Sequence, residues 1–123
     1  MRALVVEDST TIRSILRKIL TELGFEVLEA PDGQEALQRL KDAPKIDVAL
    51  VDWNMPEMNG YDFVQAVRKN HSHDLMRIIM VTTETEIIQV SKALEAGANE
   101  YVMKPFTKDM IAEKLTLLGI ALS

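Results

Sequence analysis

Three carboxylates stand where they would repel one another unless a cation lies between them. Glu7 and Asp8 follow the apolar run Leu4-Val5-Val6, and Asp52 follows a second run, Val48-Ala49-Leu50-Val51. If the two runs are neighbouring parallel strands, the acids share one rim of a sheet. Each pair of unit charges about 4 Å apart then repels by roughly 4 kcal/mol at a near-surface effective dielectric. The sequence offers one counter-charge at the end of a further strand-like run, Lys104 in Lys104-Pro105-Phe106. The negative charge left over invites a divalent cation. Magnesium takes oxygen ligands in an octahedron, commonly one or two carboxylates with waters and phosphate. Asp8 and Asp52 supply that set, with Glu7 beside them. A cation next to Asp52 aligns an incoming phosphoryl group and offsets charge on its equatorial oxygens. Asp52 is then a nucleophile and its product an acyl phosphate. Lys104 holds one phosphoryl oxygen as a point charge, and the Thr82 hydroxyl donates to another. Any one of these residues alone reads as part of an ordinary surface ion pair; their joint placement on successive strand ends argues otherwise.

The elements that must position them follow from periodicity. Apolar runs of strand length recur at 3–6, 26–29, 48–51, 78–81 and 101–103. Between the first two, Ile12, Ile15, Leu16, Ile19, Leu20 and Leu23 form one helical stripe, with Arg13, Arg17 and Lys18 opposite and Gly24 as a left-handed cap. Asp32 with Glu35 resembles a capping box opening a second helix over Ala36, Leu37 and Leu40, and Asn59 caps a third carrying Phe63, Val64 and Val67. A fourth is predicted over 86–96, closed by Gly97, and a fifth is capped by Thr107, with Ile111, Leu115 and Leu118 on its stripe and Gly119 beyond. Five βα units make a doubly wound α/β fold: a five-stranded parallel sheet with five helices covering both faces. In such a sheet ligands bind beyond the carboxyl ends of the strands, where Glu7, Asp8, Asp52, Thr82 and Lys104 all fall.

The 123 residues fit a single domain, 1–123, able to bury one substantial core. A net charge of −5 argues against the phosphate attraction on which nucleic-acid binders rely. With no cysteine there is neither a disulfide framework nor a thiolate metal site. No run approaches membrane-spanning length and the start lacks a signal-peptide pattern, so the expected location is the cytoplasm, without membrane insertion. His71 and His73 have a spacing compatible with a metal pair, but a lone His-x-His in a polar stretch is usually solvated and receives no role. Met55 and Met58, flanking Pro56, are expected to pack, and the apolar tail 120–122 either packs on the body or continues in a longer parent.

Val5-Val6-Glu7-Asp8-Ser9, Val51-Asp52-Trp53-Asn54-Met55-Pro56, Met80-Val81-Thr82 and Gly97-Ala98-Asn99-Glu100-Tyr101-Val102-Met103-Lys104-Pro105-Phe106-Thr107 together resemble the receiver domain of two-component response regulators, of the chemotaxis type. The resemblance covers essentially the whole chain. It implies a flavodoxin-like sheet of order 2-1-3-4-5 and a phosphorylation-activated switch loaded by a sensor histidine kinase. By the resemblance, Asp52 is the phosphoacceptor, and Asp8, Asp52 and the backbone carbonyl of Asn54 bind Mg2+, with Mn2+ or Ca2+ as substitutes. Glu7 stands where many receivers have Asp, and its longer side chain meets the metal directly or through water. Thr82 and Lys104 match the phosphoryl-sensing hydroxyl and lysine, Tyr101 matches an aromatic that changes rotamer on activation, and Lys104-Pro105 matches a cis bond. Asn54 and Glu84 occupy positions that line the route of attacking water and so tune phosphoryl lifetime.

On this reading Thr82 moves toward the phosphoryl group, Tyr101 fills the vacated space, and the surface of the fourth helix, fifth strand and fifth helix is reshaped. The fourth helix carries a broad apolar arc, so Ile87 and Val90, with Tyr101 and Lys114, are expected at a partner or dimer surface. The expected partners are the kinase, a downstream protein target and a phosphatase, with no direct nucleic-acid contact; the chain is a monomer or a phosphorylation-dependent dimer. It is expected to catalyse only its own phosphorylation and dephosphorylation and to act as a stand-alone regulator. The alternatives are a receiver fragment of a longer DNA-binding regulator and a magnesium-dependent aspartyl-phosphate phosphatase. The latter needs a second acid two residues after the nucleophile, where this chain has Asn54. A flavin-phosphate carrier is disfavoured, because Glu7-Asp8-Ser9-Thr10-Thr11 would repel the phosphate.

Overall fold

Strand pairing fixes the site before any side chain is considered. The computed structural model describes residues 1–43 and 45–122. Strands β1 (Arg2–Val6), β2 (Glu26–Ala30), β3 (Val48–Asp52), β4 (Arg77–Thr82) and β5 (Glu100–Met103) alternate with helices α1 (Thr10–Glu22), α2 (Gly33–Asp42), α3 (Gly60–Arg68), α4 (Ile87–Ala96) and α5 (Lys108–Leu117). The strands form one parallel sheet in the order β2-β1-β3-β4-β5. The register pairs Val6 with Val51, Asp52 with Val81, and Thr82 with Met103. Glu7 and Asp52 therefore emerge side by side, with Thr82 one strand over and Lys104 immediately beyond β5.

The period-2 alternation of strands divides the core in two. Ala3, Val5, Val48, Leu50, Ile79, Val81 and Val102 face α1 and α5, where Leu16, Leu20, Ile111 and Leu115 meet them. Leu4, Val6, Ala49, Val51, Ile78 and Met80 face the other way, onto Ala36, Phe63, Val64 and Ala93. Because both faces are covered, the central strands read as continuous apolar runs. Glu7, Asp52 and Lys104 each stand two residues after a member of the α1/α5 set, whereas Thr82 stands two after Met80 of the other set. The alternation thus groups the three charged residues and assigns Thr82 to the α4 side.

Helix starts follow their caps. Ser9 accepts from the Ile12 N–H, Asp32 from Glu35, Asn59 from Asp62 and Thr107 from Met110, at 2.8–3.3 Å. Gly97 closes α4 at φ 124°, a conformation side chains rarely adopt. Gly60 serves space instead: a Cβ there would stand 2.4 Å from Met80 Cε and 3.1 Å from the Asp52 carbonyl oxygen, so glycine lets α3 seat directly against the end of β3. The tail residues Ile120 and Leu122 pack on the α1/α5 core. Among the described residues no helix is long and apolar enough to cross a membrane.

Two local expectations are corrected. Ile15, placed on the inward stripe of α1, is 43% exposed. The predicted fourth helix begins one residue later than expected, at Ile87, because Glu84–Glu86 form a 3-10 turn in front of it. The polar stretch around His71 and His73 is likewise a short 3-10 turn, in which His71 pairs only with Asp74.

Candidate functional site

Lys104 joins the acids. Its Nζ donates to Asp52 Oδ1 at 3.0 Å and to Glu7 Oε1 at 3.2 Å. The Lys104-Pro105 bond is cis, as the resemblance implies. Glu7 is 1% exposed, with its second oxygen accepting the Ser9 N–H at 3.0 Å, and Lys104 keeps 23% of its side chain exposed. Asp52 is buried and Asp8 exposed, so the cluster opens to solvent on the Asp8 side. Arg13 anchors the rim from α1, donating to the Glu7 carbonyl at 2.8 Å while its Nε pairs with Glu29 at 3.3 Å. Among the described residues no buried side-chain polar atom lacks a partner.

Charge in this recess is strained by desolvation. Burial, reinforced by the charge of Asp52 and a hydrogen bond with Asp8, raises the Glu7 carboxyl from 4.5 to about 7 against the opposing pull of the Ser9 N–H and Lys104. Asp52 is raised for the same first reason, with the Lys104 hydrogen bond and charge opposing and the Asp8 charge adding. For Lys104, burial works against the ammonium, but the hydrogen bonds and charges of Asp52 and Glu7 outweigh it and hold the group above its usual range. One lysine thus faces more acid than it can neutralise.

A divalent cation fits this donor set. One carboxylate oxygen from each of Glu7, Asp8 and Asp52 can be chosen so that all three lie within 4.8 Å of one another. Opposite ligands of magnesium, each about 2.1 Å from the ion, stand about 4.2 Å apart. Small side-chain adjustments reach that spacing, with waters entering past the exposed Asp8.

The remaining predicted residues divide. Asn54 lies exposed in the loop following β3, and Glu84 lies exposed at the start of the 3-10 turn following β4. Between Asn54 and α3 the loop makes a tight turn, with Glu57 at φ 66° and the Met58 N–H bonded to the Pro56 carbonyl at 2.7 Å. It directs Met55 and Met58 into the core, as expected. Thr82 is buried, with its hydroxyl 3.2 Å from the Thr83 carbonyl and 3.5 Å from Glu86 Oε1. Tyr101 is half-buried, with Lys114 Nζ 5.0 Å from its ring centroid. Lys114 in turn reaches Glu100 Oε1 at 3.2 Å, so it is engaged within the molecule. The expected partner surface needs correction at Val90, which is 3% exposed and packs inward; the outward residue is Ile88 at 84%, with Ile87 half-buried between them.

Glu86, Glu100 and Arg13 were not singled out by sequence reasoning. The spacing Thr83-x-x-Glu86 has the capping-box form and carried a usable signal for Glu86. Nothing local points Arg13 at the Glu7 carbonyl.

The response regulator receiver domain model matches residues 3–116. Over 119 residues the chain is 46% identical to chemotaxis protein CheY1 of Helicobacter pylori strain J99, covering 96% of each protein. It is 48% identical over 116 residues to the chemotaxis protein CheY homolog of Campylobacter jejuni subsp. jejuni strain 81-176, covering 94% of this chain and 89% of that protein. Among solved structures, the Vibrio cholerae chemotaxis protein CheY4 superimposes with a TM-score of 0.88 at 36% identity, covering 95% of this chain and 97% of that one.

Proposed function

The chain belongs to the response regulator receiver domain family, and from that membership we propose that it is a chemotaxis-type switch whose residues 1–123 form one receiver domain and whose Asp52 accepts a phosphoryl group from the phosphohistidine of a sensor kinase. The observation that carries this reading is the recess of Glu7, Asp8 and Asp52 closed by a single lysine. Asp52 presents a carboxylate oxygen to phosphorus; the new P–O bond forms as the P–N bond to the kinase histidine breaks, and the product is an acyl phosphate. Lys104, released from part of its pairing, follows the charge to a phosphoryl oxygen, and the Thr82 hydroxyl supplies a second donor. Asp8, Asp52 and the Asn54 carbonyl would hold Mg2+, which when bound offsets phosphoryl charge and aligns the group. Glu7, paired with Lys104 and the Ser9 N–H, would meet that ion directly or through water. Asn54 and Glu84 tune the lifetime of the adduct, and output passes by protein–protein binding through the face of α4, β5 and α5, with Ile87, Ile88, Tyr101 and Lys114 on it.

The test is intact mass after incubation with magnesium and acetyl phosphate, for the unsubstituted protein and Asp52→Asn. A single base-labile phosphoryl adduct requiring both the metal and Asp52 is expected. An adduct that persists in Asp52→Asn, or none on a folded, metal-binding parent, overturns the assignment.

A further inference from the structure

The Thr82 hydroxyl carries one proton and can donate to one acceptor at a time. It stands 3.2 Å from the Thr83 carbonyl and 3.5 Å from Glu86 Oε1, both longer than the usual O–H···O separation of about 2.7–2.8 Å. The hydroxyl is therefore held, but weakly. Glu86 itself is firmly placed. The same Oε1 accepts the Thr83 N–H at 3.0 Å, and the Glu86 N–H donates back to the Thr83 carbonyl at 3.1 Å. Glu86 also ends the 3-10 turn and is the residue from which α4 departs, where a negative charge is favoured by the helix dipole. A carboxylate fixed by backbone contacts thus sits beside the switch hydroxyl, on the α4 side and away from Lys104.

We propose that Glu86 shares the resting Thr82 hydroxyl with the Thr83 carbonyl, competing with the phosphoryl group on Asp52 for a single hydroxyl proton and coupling the outcome of that competition to the start of α4. The inference rests on the receiver reading of Asp52 given above. When Thr82 turns to the phosphoryl group, Glu86 Oε1 loses this donor and keeps the Thr83 N–H in the turn before α4. Glu86 is a positioning residue: it touches neither the metal nor the phosphoryl group. A ligand that needs the hydroxyl free binds with an apparent affinity reduced by the fraction of molecules in which it is free.

The experiment titrates the protein with beryllium fluoride and magnesium and follows bound fluoride by fluorine NMR. It compares the parent with Glu86→Ala, Glu86→Gln, Thr82→Ala and the double variant Thr82→Ala/Glu86→Ala, with Asp52→Asn as the site control. Glu86→Ala is expected to tighten the apparent affinity about five-fold. Glu86→Gln, a weaker neutral acceptor that keeps the Thr83 N–H contact, tightens it by a smaller factor. In the Thr82→Ala background the Glu86 substitution should change nothing, because the hydroxyl is gone. A purely structural cap would lower the melting temperature without tightening binding, and that result overturns the proposal. So does tightening that persists without the Thr82 hydroxyl, which would mean that Glu86 acts by charge alone. If Glu86→Ala does not fold, Glu86→Gln in the two backgrounds decides. Failure of the parent to bind beryllium fluoride in an Asp52-dependent way overturns the receiver reading, and this inference falls with it.

Discussion

Two half-buried cations sit at opposite ends of the sheet and are satisfied in opposite ways. Arg68, at the end of α3, donates to the carbonyls of His73 and Met76 at 2.7 Å, to the Gly97 carbonyl at 3.0 Å and to Asn99 Oδ1 at 3.1 Å. It ties the starts of β4 and β5 together with neutral dipoles fixed by the backbone. Lys104, beyond the far end of β5, faces two carboxylates with a third close by. Burial lowers Arg68 from the ordinary arginine range, with the Asp74 charge opposing, whereas Lys104 is held above its usual range by the acids. The lesson is that a cation saturated by fixed dipoles is a staple, whereas one shared among excess carboxylates is ready to be redistributed. The first has nothing to gain from a new ligand. The second would release repulsion when a divalent cation binds.

The contrast predicts different responses to the same kind of truncation. Arg68→Ala has the largest effect, about 3–4 kcal/mol of stability, because four acceptors lose a charged donor at once. Urea unfolding should show that this loss is the same with and without magnesium. Lys104→Met is expected to cost about 2–3 kcal/mol near neutral pH without divalent ions, by leaving Glu7 and Asp52 buried without their counter-charge. Magnesium should restore much of that loss, and equal sensitivity of the two variants to magnesium would erase the distinction.

The smallest effect is the pH dependence of Glu7. Its folded-state carboxyl lies at about 7 against an ordinary 4.5. Between those values the folded protein holds a proton that the unfolded chain has released, so the contribution of Glu7 to stability without metal is full below about 4.5, falls as pH rises and is lost above about 7. Glu7→Gln removes this contribution and flattens the profile between about pH 4.5 and 7. Asp52, raised in the same direction, leaves a residual slope. Unfolding curves measured from pH 4.5 to 8.5 in chelator check it, and a parent that instead gains stability across this window would show that the recess is relaxed.

What the sequence determined by itself was everything set by short-range rules. Apolar runs of strand length and period-3.6 stripes located five strands and five helices; side-chain caps at Asp32, Asn59 and Thr107 and the closing Gly97 marked helix ends. The strand-end positions of Glu7, Asp8, Asp52, Thr82 and Lys104 were enough to anticipate a charged rim, since a parallel sheet of βα units brings its strand ends to one side. Tertiary structure decided which part of a broad apolar arc lies innermost. At 100° per residue Ile87, Val90, Ala93 and Leu94 of α4 share one arc and Ile88 falls outside it, and packing against the sheet decided that Val90 and Ala93 lie innermost while Leu94, on the same arc, stays exposed. The same holds for Ile15, which the contact surface of α1 does not reach. Partners 97 and 52 residues apart, such as Lys104 with Glu7 and with Asp52, depend on a register summed over three and two strand pairings respectively, which no local pattern encodes.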